Sequence, residues 1–253
     1  MSVIKLRDES EMSPEVLDLD RKLRSYTGAP RMTNYAKAAS YKPKYLENLA
    51  LGDPFIMANK GLKRRTKELI AVAVSMINRC AYSIYAHTNI IRREFGADEE
   101  EIVELATVVA HISGINSFEK AIMTDAGETL LPRASNAEIG TLKEITAEFG
   151  QVPLYYEVMA NEPEHLKLVW AREKAIMLEG NISRADKELI ALAVSAINGC
   201  GYSCKLHFQV AKRLGLSEPQ ILEALWVVDL FNKNNKFLDA LQIPLGVWAD
   251  KAV

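Results

Sequence analysis

The sequence predicts an all-α protein built from two equivalent halves, and three observations lead to this fold class. A segment of 26 residues occurs twice at a fixed offset. Helix start and stop signals follow one another along the chain. The centre of each copy is a long apolar run without glycine or proline, such as residues 187–197, which suits a buried helix better than a strand because strands seldom run so long.

The repeat is visible without gaps. The segments LKRRTKELIAVAVSMINRCAYSIYAH (62–87) and ISRADKELIALAVSAINGCGYSCKLH (182–207) are identical at 15 of 26 positions, with an offset of 120. After the histidines the offset becomes 119, so that Asn116 corresponds to Asn235 and Phe118 to Phe237. A period of this kind indicates a tandem duplication. We expect an N-terminal extension over 1–34, a first repeat over 35–130 and a second over 131–253, with the turn-rich stretch 124–135 as the joint.

Capping signals give the helix boundaries. Ser13 precedes Pro14, the arrangement of an N-cap followed by proline in the first helical position, and Gly28 follows that segment. Two further helix starts have capping-box spacing: Ser183 with Asp186, and Ser217 with Gln220. Three glycines lie where helices are expected to stop: Gly96, Gly114 and Gly215.

The composition of the chain argues against several classes of protein. The chain has 253 residues, 49% of them hydrophobic and 25% charged, which is enough for a substantial core. A net charge of −2 argues against a nucleic-acid partner, because phosphate contacts need clustered Lys and Arg. The start of the chain has no signal-peptide pattern and no apolar run reaches membrane length, so we expect a cytoplasmic protein with no membrane partner. Three cysteines are too few for a disulfide framework.

The spacing that the two copies share puts a cysteine and a histidine on one face of a helix. Asn198-Gly199 and Asn78-Arg79 are natural helix ends, so Cys200 and Cys80 should each begin the next helix. Seven residues later on that helix stands a histidine, close to the same face. A glutamate in the preceding helix should lie level with each histidine: Glu188 with His207, and Glu68 with His87.

This arrangement predicts a nucleophilic thiol. The unpaired N–H groups and the dipole at a helix N-terminus favour thiolate. A histidine held by a carboxylate could take the thiol proton, and the hydroxyl groups of Tyr202 or Ser203, and of Tyr82 or Ser83 in the first copy, could bridge the gap. The ordinary alternative is that each of these residues packs in the core.

Cys204 has no counterpart in the first copy, where Ile84 stands. It could act as a second thiol, although positions i and i+4 of an intact helix hold their Cβ atoms about 5–6 Å apart, farther than a disulfide needs. It could equally fill the core. A metal site formed by Cys200, Cys204 and His207 is a weaker alternative, because it lacks a fourth ligand and the usual cysteine spacing.

The motif resembles that of a known family. Glu68…Cys80-Ala-Tyr-Ser83…His87 and Glu188…Cys200-Gly-Tyr-Ser203…His207 resemble the E-x11-C-x-x-C-x3-H signature of the AhpD-like alkylhydroperoxidases, within the carboxymuconolactone decarboxylase superfamily. The resemblance covers residues 35–120 and 155–243. It implies an AhpD-like helical bundle in each half. Serine replaces the second cysteine in both copies, so the family's dithiol–disulfide cycle does not carry over. The single-cysteine pattern is similar to the N-terminal half of sestrins.

Three functions follow from the motif and the resemblance. The first is a thiol peroxidase, in which the Cys200 or Cys80 thiolate attacks a small hydroperoxide and an external thiol or Cys204 completes the cycle, with no cofactor. The second is a lyase in which His and Glu move protons on a small carboxylated lactone. The third is a redox sensor without catalysis. Basic residues near the motifs could receive a substrate carboxylate: Arg64, Arg65 and Arg184. Because single-copy family members oligomerise, a homo-oligomer of these pseudo-dimeric chains is expected.

Overall fold

The protein is all-α, as the sequence predicts. The computed structural model describes residues 2–123, 128–134, 140–178 and 180–247, and these contain twelve α-helices and no β-strand. One isolated bridge joins Met123 and Thr129. Part of the predicted joint, at positions 124–127 and 135, lies outside the described residues.

The chain forms two compact units. The first unit comprises residues up to Gly96 together with those from Leu222 onward, and the second comprises Ala97–Ile221. The first holds α1 (Pro14–Thr27), α2 (Asn34–Ala39), α3 (Pro43–Met57), α4 (Arg64–Asn78), α5 (Ala81–Phe95) and most of α12 (Glu218–Ala240). The second holds α6 (Glu99–Ile122), α7 (Gly140–Phe149), α8 (Leu154–Met159), α9 (Pro163–Glu173), α10 (Arg184–Asn198) and α11 (Gly201–Arg213).

The two units do not follow the two sequence repeats. Helix α6 ends the first repeat but belongs to the second unit, and α12 ends the second repeat but lies mostly in the first unit. Each unit therefore combines the helix hairpin of one repeat with the long helix of the other. The repeat boundaries at 34 and 130 remain a prediction, because the units divide the chain differently.

Equivalent polar contacts hold the exchanged helix in both units. In the first, the buried Lys67 ammonium group lies 2.8 Å from the Glu223 carboxylate of α12. In the second, Lys187 lies 2.6 Å from Glu104 of α6. A buried asparagine–serine pair repeats in the same way, at 3.2 Å in each unit: Asn235 with Ser75, and Asn116 with Ser195. Because a buried charge is costly without a partner, these pairs favour one register of the exchanged helix.

Most predicted helix ends are confirmed. Ser13 and Ser183 accept backbone N–H bonds at the starts of α1 and α10, and Gly28 ends α1 in the left-handed conformation. The hairpin turns are also confirmed: Gly199 at φ 66° and Arg79 at φ 59° end α10 and α4, and the cysteines follow as N-caps.

The stop predicted at Gly114 is wrong. Gly114 lies inside α6, where a glycine costs about 1 kcal/mol relative to alanine. Buried side chains on both sides of it, Val109, Ile112 and Ile115, hold the helix together across this position. Packing against the second unit's core outweighs the local preference.

Candidate active site

Each unit contains the predicted glutamate–histidine pair. In the second unit His207 Nδ1 lies 2.7 Å from Glu188 Oε2, and in the first His87 Nδ1 lies 2.7 Å from Glu68 Oε2. Both carboxylates are fully buried. Because the carboxylate holds Nδ1, the ring orientation is fixed and Nε2 is left to exchange a proton.

The arginines expected to bind a substrate carboxylate hold these glutamates instead. Arg64 donates to Glu68 at 3.3 Å, and Arg184 is ion-paired with Glu188 in the same i, i+4 relation. Each also pairs with an acid outside the motif. Arg64 and Arg184 are therefore already paired with the buried glutamates of the motif. The same role for Arg65 stays a prediction.

In the second unit the thiol contacts a carboxylate that the sequence motif does not contain. Cys200 Sγ donates to Glu119 Oε2 of α6 at 3.0 Å, and the Ser203 hydroxyl donates to the same oxygen. Glu119 is fully buried, and burial raises its pKa even though the two donors and His207 oppose that shift. Thiol, hydroxyl and carboxyl groups thus form one buried cluster.

The expectation of a thiolate at the helix N-terminus is wrong for the structure at rest. Burial raises the pKa of Cys200 to about 11, and the Glu119 carboxylate adds to this. Burial also raises the pKa of Cys80 to about 11, with Asp239 contributing. Removing the thiol from water disfavours its charged form more than the helix N-terminus favours it. A base must therefore remove the proton.

The predicted bridging hydroxyls take different positions. The Ser203 hydroxyl donates a hydrogen bond to Glu119 and not to His207. Tyr202 accepts a hydrogen bond from the backbone N–H of Leu154 and so ties α11 to α8. In the first unit Cys80 Sγ donates to Ser83 Oγ at 3.7 Å, and Ser83 and Tyr82 are buried.

Cys204 is partly buried, and burial raises its pKa as well. All three cysteines are free thiols. No cluster of three or more metal-ligating side chains occurs in the described part of the chain, so Cys200, Cys204 and His207 are not placed as a metal site.

A small cavity lies beside the motif in the first unit. Its volume is about 70 Å³. His87 and Ser83 line it, together with Asp53 of α3, whereas Cys80 is not among its walls. Burial raises the pKa of Asp53 to about 6. In this unit His87, and not Cys80, therefore lines the cavity.

The second unit has larger side chains at two matching positions near its motif. Leu206 replaces Ala86 and Tyr156 replaces Ala36, and both larger side chains are buried in the core of the second unit. The two copies thus differ in these side-chain volumes, whereas a carboxylate lies near the thiol in both: Glu119 near Cys200 and Asp239 near Cys80.

Sequence reasoning missed Glu119 and Asp53 for different reasons. The repeat comparison retained residues that both copies share, and the position matching Glu119 is Leu238. Asp53, in contrast, has an acidic counterpart, Glu173, at the offset of 120. That second correspondence was a usable signal.

Comparison with known proteins identifies the family. The model of the "Carboxymuconolactone decarboxylase family" matches residues 43–123 and 163–244. The chain belongs to this family. Both matched segments contain the glutamate, cysteine and histidine described above, so the duplication is a duplication of the family's domain.

Several relatives are alkyl hydroperoxide reductases named AhpD. The one from Methylobacterium sp. (strain 4-46) is 33% identical over 98 residues, which is 38% of this chain and 56% of that protein. The one from Azorhizobium caulinodans is 26% identical over 149 residues, 58% of this chain and 80% of that protein. The match to the first thus spans about half of that relative's length.

A solved structure has the same fold over most of the chain. The crystal structure of a proposed gamma-carboxymuconolactone decarboxylase subunit from Burkholderia xenovorans covers 90% of this chain and 96% of its own, with a TM-score of 0.65 and 18% identity. The likeness confirms the fold. None of the helices in the described ranges is both long and apolar enough to cross a membrane.

Proposed function

We propose that this protein is a thiol-dependent hydroperoxide reductase in which Cys200 is the nucleophile and Glu119 is its base. The contact between Cys200 Sγ and Glu119 Oε2, at 3.0 Å, carries this proposal. A candidate base must lie within hydrogen-bond reach of the proton that it removes, and this carboxylate does.

The raised pKa of Glu119 suits the role. A buried carboxylate binds a proton more readily than an exposed one, so its basicity approaches that of the thiol. When the proton moves from Cys200 to Glu119, the total charge of the pair stays at −1. The exchange therefore avoids placing a second negative charge in the buried cluster.

Cys200 and Glu119 supply the groups that the oxidation step needs, and an external thiol supplies the reducing equivalents. The Cys200 thiolate attacks the terminal peroxide oxygen, the O–O bond breaks, and Cys200 becomes a sulfenic acid. The leaving alkoxide takes the proton that Glu119 received, which gives an alcohol and restores the carboxylate. The sulfenic acid then condenses with Cys204 or with an external thiol, which gives a disulfide and water. Exchange with the external thiol regenerates Cys200, so that two equivalents of thiol are oxidised to a disulfide for each peroxide.

His207 and Glu188 complete the surroundings. His207 favours the ionised form of Glu119, and Glu188 fixes the imidazole through Nδ1. His207 is thus a positioning and electrostatic group in this scheme. Relatives named alkyl hydroperoxide reductase support the reaction class, although their names describe those proteins.

The lyase alternative has less support in this chain. Its histidine would act on a carboxylated lactone, and His87 lines the cavity in the first unit. That cavity carries the carboxylate of Asp53, and neither lysine nor arginine is among its lining residues. A buried carboxylate repels a carboxylated substrate.

Cysteine variants test the proposal. We expect Cys200→Ser to remove most consumption of hydrogen peroxide or cumene hydroperoxide supported by a dithiol, Cys80→Ser to remove less, and Cys204→Ser to slow recycling without preventing the first oxidation. Sulfenic acid at each cysteine is measured by trapping and mass spectrometry.

The outcomes separate the two enzyme classes. Full activity in the Cys80→Ser/Cys200→Ser double variant would overturn the thiol mechanism. A lyase would show nearly silent cysteine variants and loss of lactone turnover in His207→Ala or His87→Ala.

A further inference from the structure

The cavity in the first unit has the character of a ligand site. Its walls are mainly apolar or aromatic: Leu23, Leu49, Ile90, Tyr26, Tyr82 and Phe231. An apolar cavity of about 150 Å³ holds benzene. A cavity of about 70 Å³ therefore has room for roughly three non-hydrogen atoms.

One wall carries an unsatisfied carboxylate oxygen. Asp53 is about nine-tenths buried, and its Oδ2 accepts a hydrogen bond from Asn234 Nδ2 at 3.2 Å. Its Oδ1 is buried and has no hydrogen-bond partner among the described residues. An acceptor left in this state costs stability, about 1–3 kcal/mol in general. Such a group often marks a binding position.

The nearby cations do not neutralise this carboxylate by direct contact. Lys233 favours its ionised form from a distance, and its ammonium group is hydrogen-bonded to Asn48 Oδ1 at 3.3 Å. His87 has a smaller effect of the same sign, and its Nδ1 is held by Glu68. Asp53 Oδ1 therefore remains a buried acceptor without a partner among the described residues, on a side chain that lines the cavity.

In the second unit an equivalent carboxylate has a hydrogen-bonding partner. Glu173 occupies the position of Asp53 at the offset of 120, and its Oε2 lies 2.5 Å from His111 Nε2 of α6. At the offset of 119 the counterpart of His111 is Leu230. The first unit thus has the acid without a counterpart of His111, and Asn234 satisfies only one of the two carboxylate oxygens of Asp53.

We propose that the first-unit cavity binds a small primary ammonium compound, with the ammonium N–H group donating to Asp53 Oδ1 in the place that His111 takes beside Glu173. Its short alkyl group lies against Leu49 and Ile90. Aromatic rings attract a cation through their faces, and Tyr26, Tyr82 and Phe231 supply such rings in the walls. This site does not depend on the thiol chemistry of the second unit.

The test compares three probes of similar size on the full-length protein: ethylammonium, ethanol and acetate. Methyl NMR follows the signals of Leu23, Leu49, Ile90 and Leu238 at fixed pH and ionic strength, with Ile145 of the second unit as an internal reference. We expect ethylammonium to bind with a Kd of ~1 mM, close to the limit for so few atoms. Ethanol should bind at least tenfold more weakly, and acetate should not bind.

Two variants locate the site. Asp53→Asn preserves the shape and an acceptor for Asn234 but removes the charge, so it should weaken ethylammonium binding at least tenfold and change ethanol binding less than threefold. Ala86→Leu introduces the residue found at position 206 of the second unit and should prevent all three probes from perturbing the cavity signals.

The results decide between occupants. Equal binding of ethylammonium and ethanol would mean that the cavity holds water or any small polar molecule, and would overturn the proposal. The same conclusion follows if ethylammonium perturbs Ile145 as much as the cavity methyl groups, or if Ala86→Leu binds it unchanged. Loss of peroxidase activity in Cys200→Ser with ethylammonium binding intact would show that the two sites are separate.

Discussion

Replacing Glu119 with glutamine should lower the pKa of Cys200 and at the same time slow its reaction with peroxide. Glu119 Oε2 lies 3.0 Å from Cys200 Sγ. Two unit negative charges at that distance repel by about 5 kcal/mol at an effective dielectric constant of about 20, which equals about four pKa units. This value is a ceiling, because Glu119 takes up a proton as the thiolate forms.

The expected shift is smaller. The pKa of Cys200 is about 11, and burial contributes more to it than Glu119 does. Burial persists in Glu119→Gln, so we expect the pKa to fall by about one unit, since a neutral amide no longer repels the thiolate. At pH 8 the thiolate fraction, and with it the alkylation rate, should rise about tenfold.

The assay is alkylation by iodoacetamide across pH 7–11, read for each cysteine by mass spectrometry. Cys80 is the internal control, because Glu119 belongs to the other unit and burial sets the pKa of Cys80. Peroxide consumption should nevertheless fall at least tenfold, because the variant has lost the group that receives and returns the proton. An unchanged Cys200 profile, or an equal shift at Cys80, would refute the reasoning. Faster peroxide consumption would show that Glu119 is only a repulsive neighbour.

Three further predictions concern stability. Lys67→Ala leaves Glu223 without its buried ammonium partner, so the free energy of unfolding should fall by about 3–5 kcal/mol and Tm by roughly 10 °C. The volume-matched Lys67→Met should lose less. A decrease in Tm of less than about 3 °C for Lys67→Ala by calorimetry would contradict this. Burial raises the pKa of Asp53 in the folded protein to about 6, so the wild type loses stability as pH rises from about 4 through 6. In urea unfolding, Asp53→Asn should therefore be more stable than the wild type at pH 8 by up to about 3 kcal/mol more than it is at pH 4. If the stabilities of the two proteins change in parallel with pH, Asp53 is not buried in its charged form. Gly114→Ala should raise Tm by about 2 °C, since an added Cβ meets nothing within 4 Å inside α6. Gly199→Ala should lower Tm, because its φ of +66° is strained for any residue with a Cβ. The reverse order of Tm would be incompatible with these backbone conformations.

The amino-acid sequence by itself determined the local structure and half of the site. Caps, turns and helix periodicity depend on neighbouring residues, so Ser13, Gly199 and the cysteines at the helix starts could be placed from the sequence. The pairing of Glu188 with His207 also followed, because both lie on one helical hairpin whose turn fixes their heights.

The tertiary structure decided everything that depends on a distant helix. The exchange of α6 and α12 between the units brings Glu119 onto Cys200, 81 positions away, and no local pattern records that approach. It also decides the state of the thiol, because burial opposes ionisation and cannot be read from the position of a cysteine in its helix. The space beside each motif likewise depends on side-chain volumes from several helices, such as Leu206 against Ala86, which meet only when the chain is folded.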